Sequence, residues 1–545
     1  MTEPTEPEED AMRRRRSIRA LSIIGSLAAV LPLVIVAPAE ASGRSAPVVR
    51  VDTGALRGAR ADGVDSFLGV PYAAPPVGDL RWRPPRPAAS WHGVRDAVSY
   101  GNRCAALAST NGPESDTEDC LYLNVQRPAN ARPGKRLPVY FWIHGGGLVN
   151  GSSNQHDAGL IVRNTGIVVV TINYRLGVFG YLAHPALTRE AGQSGDYGFM
   201  DQQAALRWVH RNIGAFGGDP RQVTIGGESA GGWSVCAHLT APGSRGLFNR
   251  AIMQSGSCLT QTLSAGEATG TTIATAAGCA DPATAAACLR GKSTTDLLQA
   301  ASGASSFAMV HGVPTLPTAP DTAVRNGDFA KVPVVIGANR DEGRTFAQGF
   351  IGQTQDQYVG FVRSAFGANA DAVLAHYPWP APGSQGADKF TPAYLVGAIF
   401  TDSGLVGQIG GCANRRLTQA FARSTRTYAY EFDHRTGPGL TPIPGYVWGA
   451  GHAAELAYLW PGFDNGTPIA PTFNAAERRL ALDMVRYWGS FVRAGRPAAA
   501  FSSPWTRYDH TRQILSLRAG GRSTLISDAR LAAEHQCDFW DAMSL

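Results

Sequence analysis

The sequence contains very little lysine and few charged residues of either sign. Lysine supplies four of the 49 basic residues, and charged residues make up 17% of the 545 positions. After the N-terminal segment the arginines are scattered rather than clustered, which argues against a nucleic-acid-binding surface. Because 44% of the residues are hydrophobic, the chain has enough apolar material for a large globular core, and general disorder is excluded.

Internal repeats and long low-complexity linkers are also absent, as is any apolar run after residue 41 that is long enough to span a membrane. The length alone would suit several domains, but without a linker one compact domain over residues 42–545 is favoured. We therefore expect the mature chain not to insert stably into a membrane.

The N-terminus has the three parts of a secretory signal peptide. Four arginines, Arg13 to Arg16, precede a largely apolar run from Ala20 to Ala39, and the small-residue site Ala39-Glu40-Ala41 follows. This order predicts cleavage after Ala41 and a secreted mature chain over residues 42–545. The alternative is an uncleaved membrane anchor, because the apolar run is close to spanning length.

Eight cysteines in an exported chain are expected to pair, because an oxidising compartment lets disulfides persist. The spacing is compatible with three pairs: Cys104 with Cys120, Cys279 with Cys288, and Cys412 with Cys537. The two remaining cysteines, Cys236 and Cys258, are either buried free thiols or a fourth pair.

Short runs rich in branched and aromatic residues predict buried strands, and stretches with helical spacing of apolar residues lie between several of them. This alternation favours an α/β fold with a large, mostly parallel sheet covered by helices on both faces. Insertions at about 264–320 and 345–425 are expected above the sheet as cap and pocket walls. The predicted strands are 137–143, 167–173, 223–226, 251–254, 332–337, 427–432 and an edge strand at 514–517, and the predicted helices are 201–213, 230–239 and 475–492.

A serine lies where one predicted strand runs directly into a helix, in Gly227-Glu228-Ser229-Ala230-Gly231. Glycines two residues to either side allow a sharp turn that presents the serine hydroxyl above the sheet. Such a pentapeptide also occurs by chance in long chains, but the strand before it and the helix after it favour a nucleophile.

A serine hydroxyl needs a base, and the base needs a third group to orient it. In proteins with this turn the chain order is serine, acid, histidine. Most of the 12 histidines are expected to be ordinary surface or packing residues, but His452 follows the turn in a glycine-rich loop. Between the two lie neighbouring acids, Asp341 and Glu342, and either fits the order.

The run His144-Gly145-Gly146-Gly147 follows a predicted strand and leaves several backbone N–H groups unshielded by side chains. Such donors can stabilise a developing oxyanion. A glycine run can also be an ordinary flexible turn. Its position before the serine turn in chain order favours the oxyanion role, with Gly146, Gly147 and the N–H of Ala230 as the donors.

With these motifs the chain resembles the type-B carboxylesterase and lipase family of the α/β-hydrolase superfamily, over nearly all of its mature length. The resemblance implies the α/β-hydrolase fold and a secreted serine ester hydrolase. The matching stretches are Phe67-Leu68-Gly69-Val70-Pro71-Tyr72-Ala73, Pro75-Pro76-Val77-Gly78, Glu118-Asp119-Cys120-Leu121-Tyr122-Leu123-Asn124, His144 to Gly147, Asn173-Tyr174-Arg175, Phe216-Gly217-Gly218-Asp219-Pro220, Gly227 to Gly231, Gln254-Ser255-Gly256 and Asp341-Glu342-Gly343.

The resemblance selects Glu342 over Asp341 and implies a triad of Ser229, Glu342 and His452 that hydrolyses esters through an acyl-enzyme. It also implies an oxyanion hole of Gly146, Gly147 and Ala230, with Glu228 and Ser255 as neighbours that tune and position the triad. It supports the three cysteine pairs Cys104–Cys120, Cys279–Cys288 and Cys412–Cys537.

The implied substrate is a small-molecule or lipid ester, and the mechanism needs no metal or organic cofactor. Two alternatives remain: a true lipase or sterol esterase, and a non-catalytic extracellular binding protein of the same fold.

The sequence departs from relatives in two places. The loop closed by Cys104 and Cys120 contains no aromatic residue, which disfavours a dedicated choline ester. Leu148 stands where an aromatic residue is frequent, which is expected to reshape the acyl side of the pocket.

Overall fold

The computed structural model describes residues 46–304, 307–380, 386–441, 443–464 and 466–543. The predicted signal peptide, residues 1–41, lies outside the described residues. None of the described helices is long and apolar enough to cross a lipid bilayer.

An 11-stranded sheet in the order β16-β15-β14-β13-β10-β9-β7-β8-β6-β4-β3 forms the centre of the molecule. Its strands pair in parallel from β8 across to β15 and antiparallel toward both edges, so the predicted mostly parallel sheet is confirmed. Two smaller sheets contain β1, β2 and β5 and the pair β11 and β12. The strands of all three sheets are β1 (Val48–Val51), β2 (Gly54–Arg57), β3 (Ala59–Ala61), β4 (Val64–Pro71), β5 (Val94–Asp96), β6 (Tyr122–Pro128), β7 (Leu137–Ile143), β8 (Val168–Ile172), β9 (Gly218–Glu228), β10 (Arg250–Gln254), β11 (Gln261–Thr262), β12 (Val310–His311), β13 (Val334–Asn339), β14 (Thr427–Phe432), β15 (Gln513–Leu517) and β16 (Thr524–Ser527).

Both faces of this sheet are buried, as the apolar composition of its strands requires. Successive side chains of a strand point to opposite faces. Accordingly Val139, Phe141 and Ile143 of β7 join one hydrophobic cluster, whereas Tyr140 and Trp142 join the other. This two-sided burial is the reason why parallel strands appear in the sequence as continuous apolar runs.

Helices cover the two faces. The helices α4 and α5 pack into the cluster that holds Phe141, and α1, α13 and α16 pack into the cluster that holds Trp142. The helices are α1 (Gly159–Thr165), α2 (Gly177–Tyr181), α3 (Pro185–Ala191), α4 (Tyr197–Asn212), α5 (Ala230–Thr240), α6 (Leu263–Ala276), α7 (Ala285–Arg290), α8 (Thr294–Ala301), α9 (Pro320–Asn326), α10 (Gly343–Phe346), α11 (Gln355–Phe366), α12 (Ala370–His376), α13 (Thr391–Ser403), α14 (Gly411–Ala422), α15 (Leu456–Leu459), α16 (Ala475–Ala494), α17 (Tyr508–Thr511), α18 (Asp528–Glu534) and α19 (Cys537–Ala542).

Two features differ from the sequence-based expectation. The segment 514–517 was expected at the sheet edge, but β15 lies between β14 and β16, so the edge strand is β16. The strands β1 to β6 precede every predicted strand. Several of them are short and mix polar with apolar residues, so hydrophobic periodicity does not reveal them.

Four disulfides join the eight cysteines, as an exported chain is expected to have. Three of them are the pairs that the spacing allowed. The fourth joins Cys236 of α5 to Cys258, two positions that sequence spacing left open. The pairs are Cys104–Cys120, Cys236–Cys258, Cys279–Cys288 and Cys412–Cys537.

Candidate active site

Ser229 occupies the turn between β9 and α5 in a strained backbone conformation. Its φ and ψ are 56° and −124°. Residues other than glycine rarely adopt this region, and those that do are often found at functional sites. The turn is tight: a Cβ on Gly227 would lie 2.5 Å from the backbone of Gly231, and a Cβ on Gly231 would lie 2.1 Å from the carbonyl oxygen of Ile143. Glycine is therefore required at both positions.

Glu342 lies just beyond the carboxyl end of β13, with its side chain fully buried and held on both oxygens. Ser255 Oγ and the backbone N–H of Asn339 donate to Oε1, each at 2.6 Å. The other oxygen, Oε2, lies 2.6 Å from Nδ1 of His452. Of the two acids that fit the chain order, Glu342 is thus the one in contact with the imidazole.

Asp341 faces away from this contact. Its carboxylate is bound by the guanidinium of Arg435 at 2.7 and 2.8 Å and accepts the backbone N–H of Ala450 at 2.9 Å. It therefore bonds to the loop that carries His452 rather than to the imidazole itself.

His452 and Ser229 line the same cavity. The polar partners of the imidazole among the described residues are two carboxylates, Glu342 at Nδ1 and Glu228 Oε1 at 3.2 Å from Nε2. The Ser229 hydroxyl is not among them. Burial opposes protonation of His452, but the carboxylates of Glu228 and Glu342 outweigh it and raise its pKa to about 9. Burial raises the pKa of Glu228 to about 8.

The glycine run Gly145 to Gly147 lines the same cavity as Ser229. The N–H groups of Gly146, Gly147 and Ala230 donate to no acceptor among the described residues. Gly146 has a φ of +101°, and a Cβ there would lie 2.4 Å from the carbonyl oxygen of Asn150. Tyr174 holds His144, the residue before the glycine run, in place. Its hydroxyl donates to the carbonyl oxygen of His144 at 2.8 Å, and its ring stacks on the His144 imidazole.

The cavity above Ser229 has a volume of about 590 Å³. Its lining includes the apolar side chains of Trp233, Leu259, Val406 and Ile409 and neutral polar side chains such as that of Asn111. Among its described lining residues Glu228 is the sole carboxylate, and there is no lysine or arginine.

The cavity wall corrects two expectations. Residues 345–425 contribute to it, but none of the described residues of 264–320 does. Those residues form α6, α7, α8 and the short β12, which pack elsewhere. Leu148 is completely buried in the core, and its neighbour Val149 lines the cavity instead. The strand and helix pattern gives no information on which side of the sheet an insertion folds.

A buried polar network that the sequence patterns do not reveal joins the end of β13 to the segment that follows His452. Glu455, which is fully buried, accepts the side-chain amides of Asn339 at 2.7 Å and Gln254 at 3.1 Å. Asn339 also donates to the carbonyl oxygen of Gly451 at 2.7 Å. Nothing in the local sequence distinguishes Glu455 from a surface glutamate, so only its tertiary contacts identify it.

The arrangement is suited to nucleophilic attack on an acyl carbon. A hydroxyl, an imidazole oriented by a carboxylate, and free N–H groups meet in one partly apolar cavity, and these are the groups that acyl transfer needs.

Comparison with known proteins gives one consistent result. The model of the family described as "Carboxylesterase family" matches residues 45–540. The chain is 34% identical to the acylcarnitine hydrolase of Mus musculus, covering 90% of each chain. It is 35% identical to the fumonisin B1 esterase of Sphingopyxis macrogoltabida, covering 86% of each. Among solved structures it is similar to PNB esterase, with a TM-score of 0.73 and 29% identity, over 90% of this chain and 100% of that one.

Proposed function

Since the chain belongs to the carboxylesterase family, we propose that this carboxylic ester hydrolase works through an acyl-enzyme on Ser229, with His452 as base and Glu342 as its orienting acid. The observation that carries the proposal is the 2.6 Å contact of His452 Nδ1 with Glu342, made by an imidazole that shares a cavity with Ser229. Membership of an enzyme family removes the alternative of a non-catalytic binding protein.

The first half of the proposed mechanism forms the acyl-enzyme. His452 Nε2 takes the proton of Ser229 as the oxygen attacks the ester carbonyl, and Glu342 stabilises the resulting imidazolium. The N–H groups of Gly146, Gly147 and Ala230 bind the oxyanion. The tetrahedral intermediate collapses, the C–O bond to the alcohol breaks, and the imidazolium protonates the leaving alcohol.

The second half regenerates the enzyme with water as the nucleophile. His452 removes a proton from water, the hydroxide attacks the acyl carbon, and the Ser229 oxygen leaves with the proton returned by the imidazolium. Every step uses side chains and backbone groups of this chain.

Glu228 competes with Ser229 for the imidazole. Its Oε1 lies 3.2 Å from the same Nε2 that takes the serine proton. We propose that Nε2 turns from Glu228 to the Ser229 hydroxyl when a substrate carbonyl occupies the free N–H groups. Catalytic hydrogen bonds commonly tighten only when substrate is bound.

The cavity size supports small-molecule esters as substrates. A volume of about 590 Å³ falls within the range of small-molecule sites. A series of p-nitrophenyl esters from acetate to palmitate tests this, with a maximum at short or medium chains expected. Preference for emulsified long-chain triacylglycerols or for sterol esters would instead identify the lipase or sterol esterase alternative.

The mechanism is tested by a fluorophosphonate probe and by hydrolysis of p-nitrophenyl butyrate. The wild-type protein should be labelled on Ser229, and Ser229→Ala should lose labelling and lower kcat by at least about 10⁴-fold. Ser403→Ala removes a buried serine hydroxyl on α13 and serves as the matched control. Folded wild-type protein that is not labelled contradicts the proposal.

We further propose that the chain is exported and that residues 42–545 form a single catalytic domain. Four disulfides support export, because they persist in oxidising compartments. N-terminal sequencing of the protein from culture medium should give Ser42 as the first residue. Membrane-bound protein that retains residues 1–41 would identify the anchored alternative.

A further inference from the structure

Asp341 and Ala450 join the loop that carries Glu342 to the loop that carries His452. The backbone N–H of Asp341 donates to the carbonyl oxygen of Ala450 at 2.9 Å, and the N–H of Ala450 donates back to Oδ2 of Asp341 at 2.9 Å. These two bonds fix the backbone two residues before His452. They connect segments that lie 109 positions apart in the sequence.

The carboxylate of Asp341 is itself held in place. Arg435 donates to both of its oxygens at 2.7 and 2.8 Å, a bidentate geometry that fixes orientation as well as charge. Gly449 packs directly on it, since a Cβ at that position would lie 2.3 Å from Oδ2. Burial opposes ionisation, but Arg435 and Arg344 outweigh it and keep the pKa of Asp341 below its usual value.

Two weaker anchors hold the same loop. Asn339 donates to the carbonyl of Gly451 at 2.7 Å, and Thr345 Oγ donates to the carbonyl of His452 at 3.3 Å. Neither bond involves an ionised group, so Asp341 supplies the sole charged anchor among these contacts. Removing it should loosen the loop without unfolding the sheet below.

We propose that Asp341, clamped by Arg435, is a positioning residue that holds the His452 loop against the Glu342 loop and so sets the imidazole between Glu342 and Ser229. The inference rests on the proposed function of Ser229, His452 and Glu342. Asp341 lines a different cavity from the one above Ser229, so it acts on the reaction through the positions of these two loops and not by contact with the substrate.

The test compares Asp341→Ala, Asp341→Asn and Arg435→Gln with wild type in steady-state hydrolysis of p-nitrophenyl butyrate. A catalytic group displaced by about 1 Å can cost about 10²-fold in rate. Asp341→Ala should therefore lower kcat about 10- to 100-fold, with KM within about twofold of wild type. Asp341→Asn should lose less, because its amide oxygen still accepts the N–H of Ala450.

The matched control is Asp528→Asn. Asp528 binds Arg415 at 2.8 and 3.1 Å, so its substitution also removes a partly buried Asp–Arg pair. Its other side-chain hydrogen bonds among the described residues are to Gln419 and Tyr508, not to either loop. Its kcat should equal that of wild type. An equal loss of kcat in Asp528→Asn and Asp341→Asn would reduce the effect to general destabilisation and overturn the proposal.

Arg435→Gln separates positioning from a through-space charge effect. Removing the positive charge of Arg435 would by itself raise the pKa of the imidazole and move the acid limb of kcat/KM to higher pH. Loosening of the contact with Glu342 should instead lower that pKa and lower kcat. An acid limb that moves to higher pH with unchanged kcat contradicts the positioning role. If Asp341→Ala does not fold, the result for Arg435→Gln alone tests the positioning role.

Failure of this inference is distinguishable from failure of the proposed function. Wild-type protein that is not labelled by the fluorophosphonate probe refutes the role of Ser229 itself. Labelled wild-type protein together with folded Asp341→Ala that keeps kcat within about twofold refutes only the positioning role.

Discussion

Oε2 of Glu342 lies 2.6 Å from Nδ1 of His452, although 110 positions separate the two residues in the sequence. The other carboxylate oxygen is occupied by Ser255 and the N–H of Asn339, so the carboxylate cannot rotate freely. A carboxylate fixed at Nδ1 holds the proton on that nitrogen and leaves Nε2 as the basic atom.

Glu342→Gln should lower kcat by about 10³- to 10⁴-fold, because an amide cannot stabilise the imidazolium or enforce the correct tautomer. KM for p-nitrophenyl butyrate should change little. The matched control is Glu477→Gln, since Glu477 also contacts a histidine, His434 at 3.1 Å, and neither residue is among the described lining residues of the cavity. Activity of Glu342→Gln near the wild-type level would exclude Glu342 as the orienting acid.

Gly146→Ala should lower kcat about 10²- to 10³-fold by displacing one oxyanion donor. The new Cβ would lie 2.4 Å from the carbonyl oxygen of Asn150 at a φ of +101°, so the loop must shift. Gly63→Ala serves as the control, because Gly63 also has a positive φ, +76°, but open space around it. Equal kcat values for the two variants would argue against the oxyanion role.

Glu228→Gln should move the acid limb of the pH profile of kcat/KM to lower pH. His452 accepts the serine proton only when it is neutral, so activity rises as pH passes through its pKa. Glu228 helps to raise that pKa to about 9, and an uncharged glutamine removes this contribution. The measurement is kcat/KM from pH 5 to 10, and a limb that stays in place would contradict the assignment.

His535 forms a second histidine–carboxylate cluster and lines a different cavity from the one above Ser229. Its Nδ1 lies 2.6 Å from Asp402 and its Nε2 lies 2.8 Å from Glu431. Burial opposes protonation, but the two carboxylates outweigh it and raise the pKa of His535 to about 10. The imidazolium thus ties the segment before α19 to α13 and β14.

The stabilisation from His535 should be lost at alkaline pH. The folded pKa of about 10 lies above the ordinary value of about 6.5, so the contribution is complete below about pH 6.5 and disappears as pH rises through about 10. His535→Gln should lower the free energy of unfolding at pH 6.5 by about 3 to 5 kcal/mol. As pH rises toward about 10, the Tm of this variant should also fall less steeply than the Tm of wild type.

The control for this measurement is His510→Gln, the same substitution at a mostly exposed histidine. Its unfolding curve should match that of wild type at every pH. Identical slopes of Tm against pH for wild type and His535→Gln would show that the cluster does not titrate as described.

The central sheet could be predicted from sequence because its strands are buried on both faces. The segment 137–143 is apolar at almost every position and coincides with β7. The antiparallel strands before it could not be predicted, because β3 is a three-residue strand without a buried residue. The edge assignment of 514–517 was wrong because strand order depends on pairing partners, which periodicity does not contain.

The sequence by itself determined the motifs with local physical causes: the glycines that a tight serine turn requires, the glycine run with free N–H groups, and an even set of cysteines. Only the tertiary structure decided that Cys236 pairs with Cys258, that Glu455 bonds to Asn339, and that Asp341 bonds to the loop that carries His452 rather than to the imidazole. The reason is physical. Turn geometry depends on neighbouring residues, whereas a contact across 110 positions depends on how the strands order and pack in space.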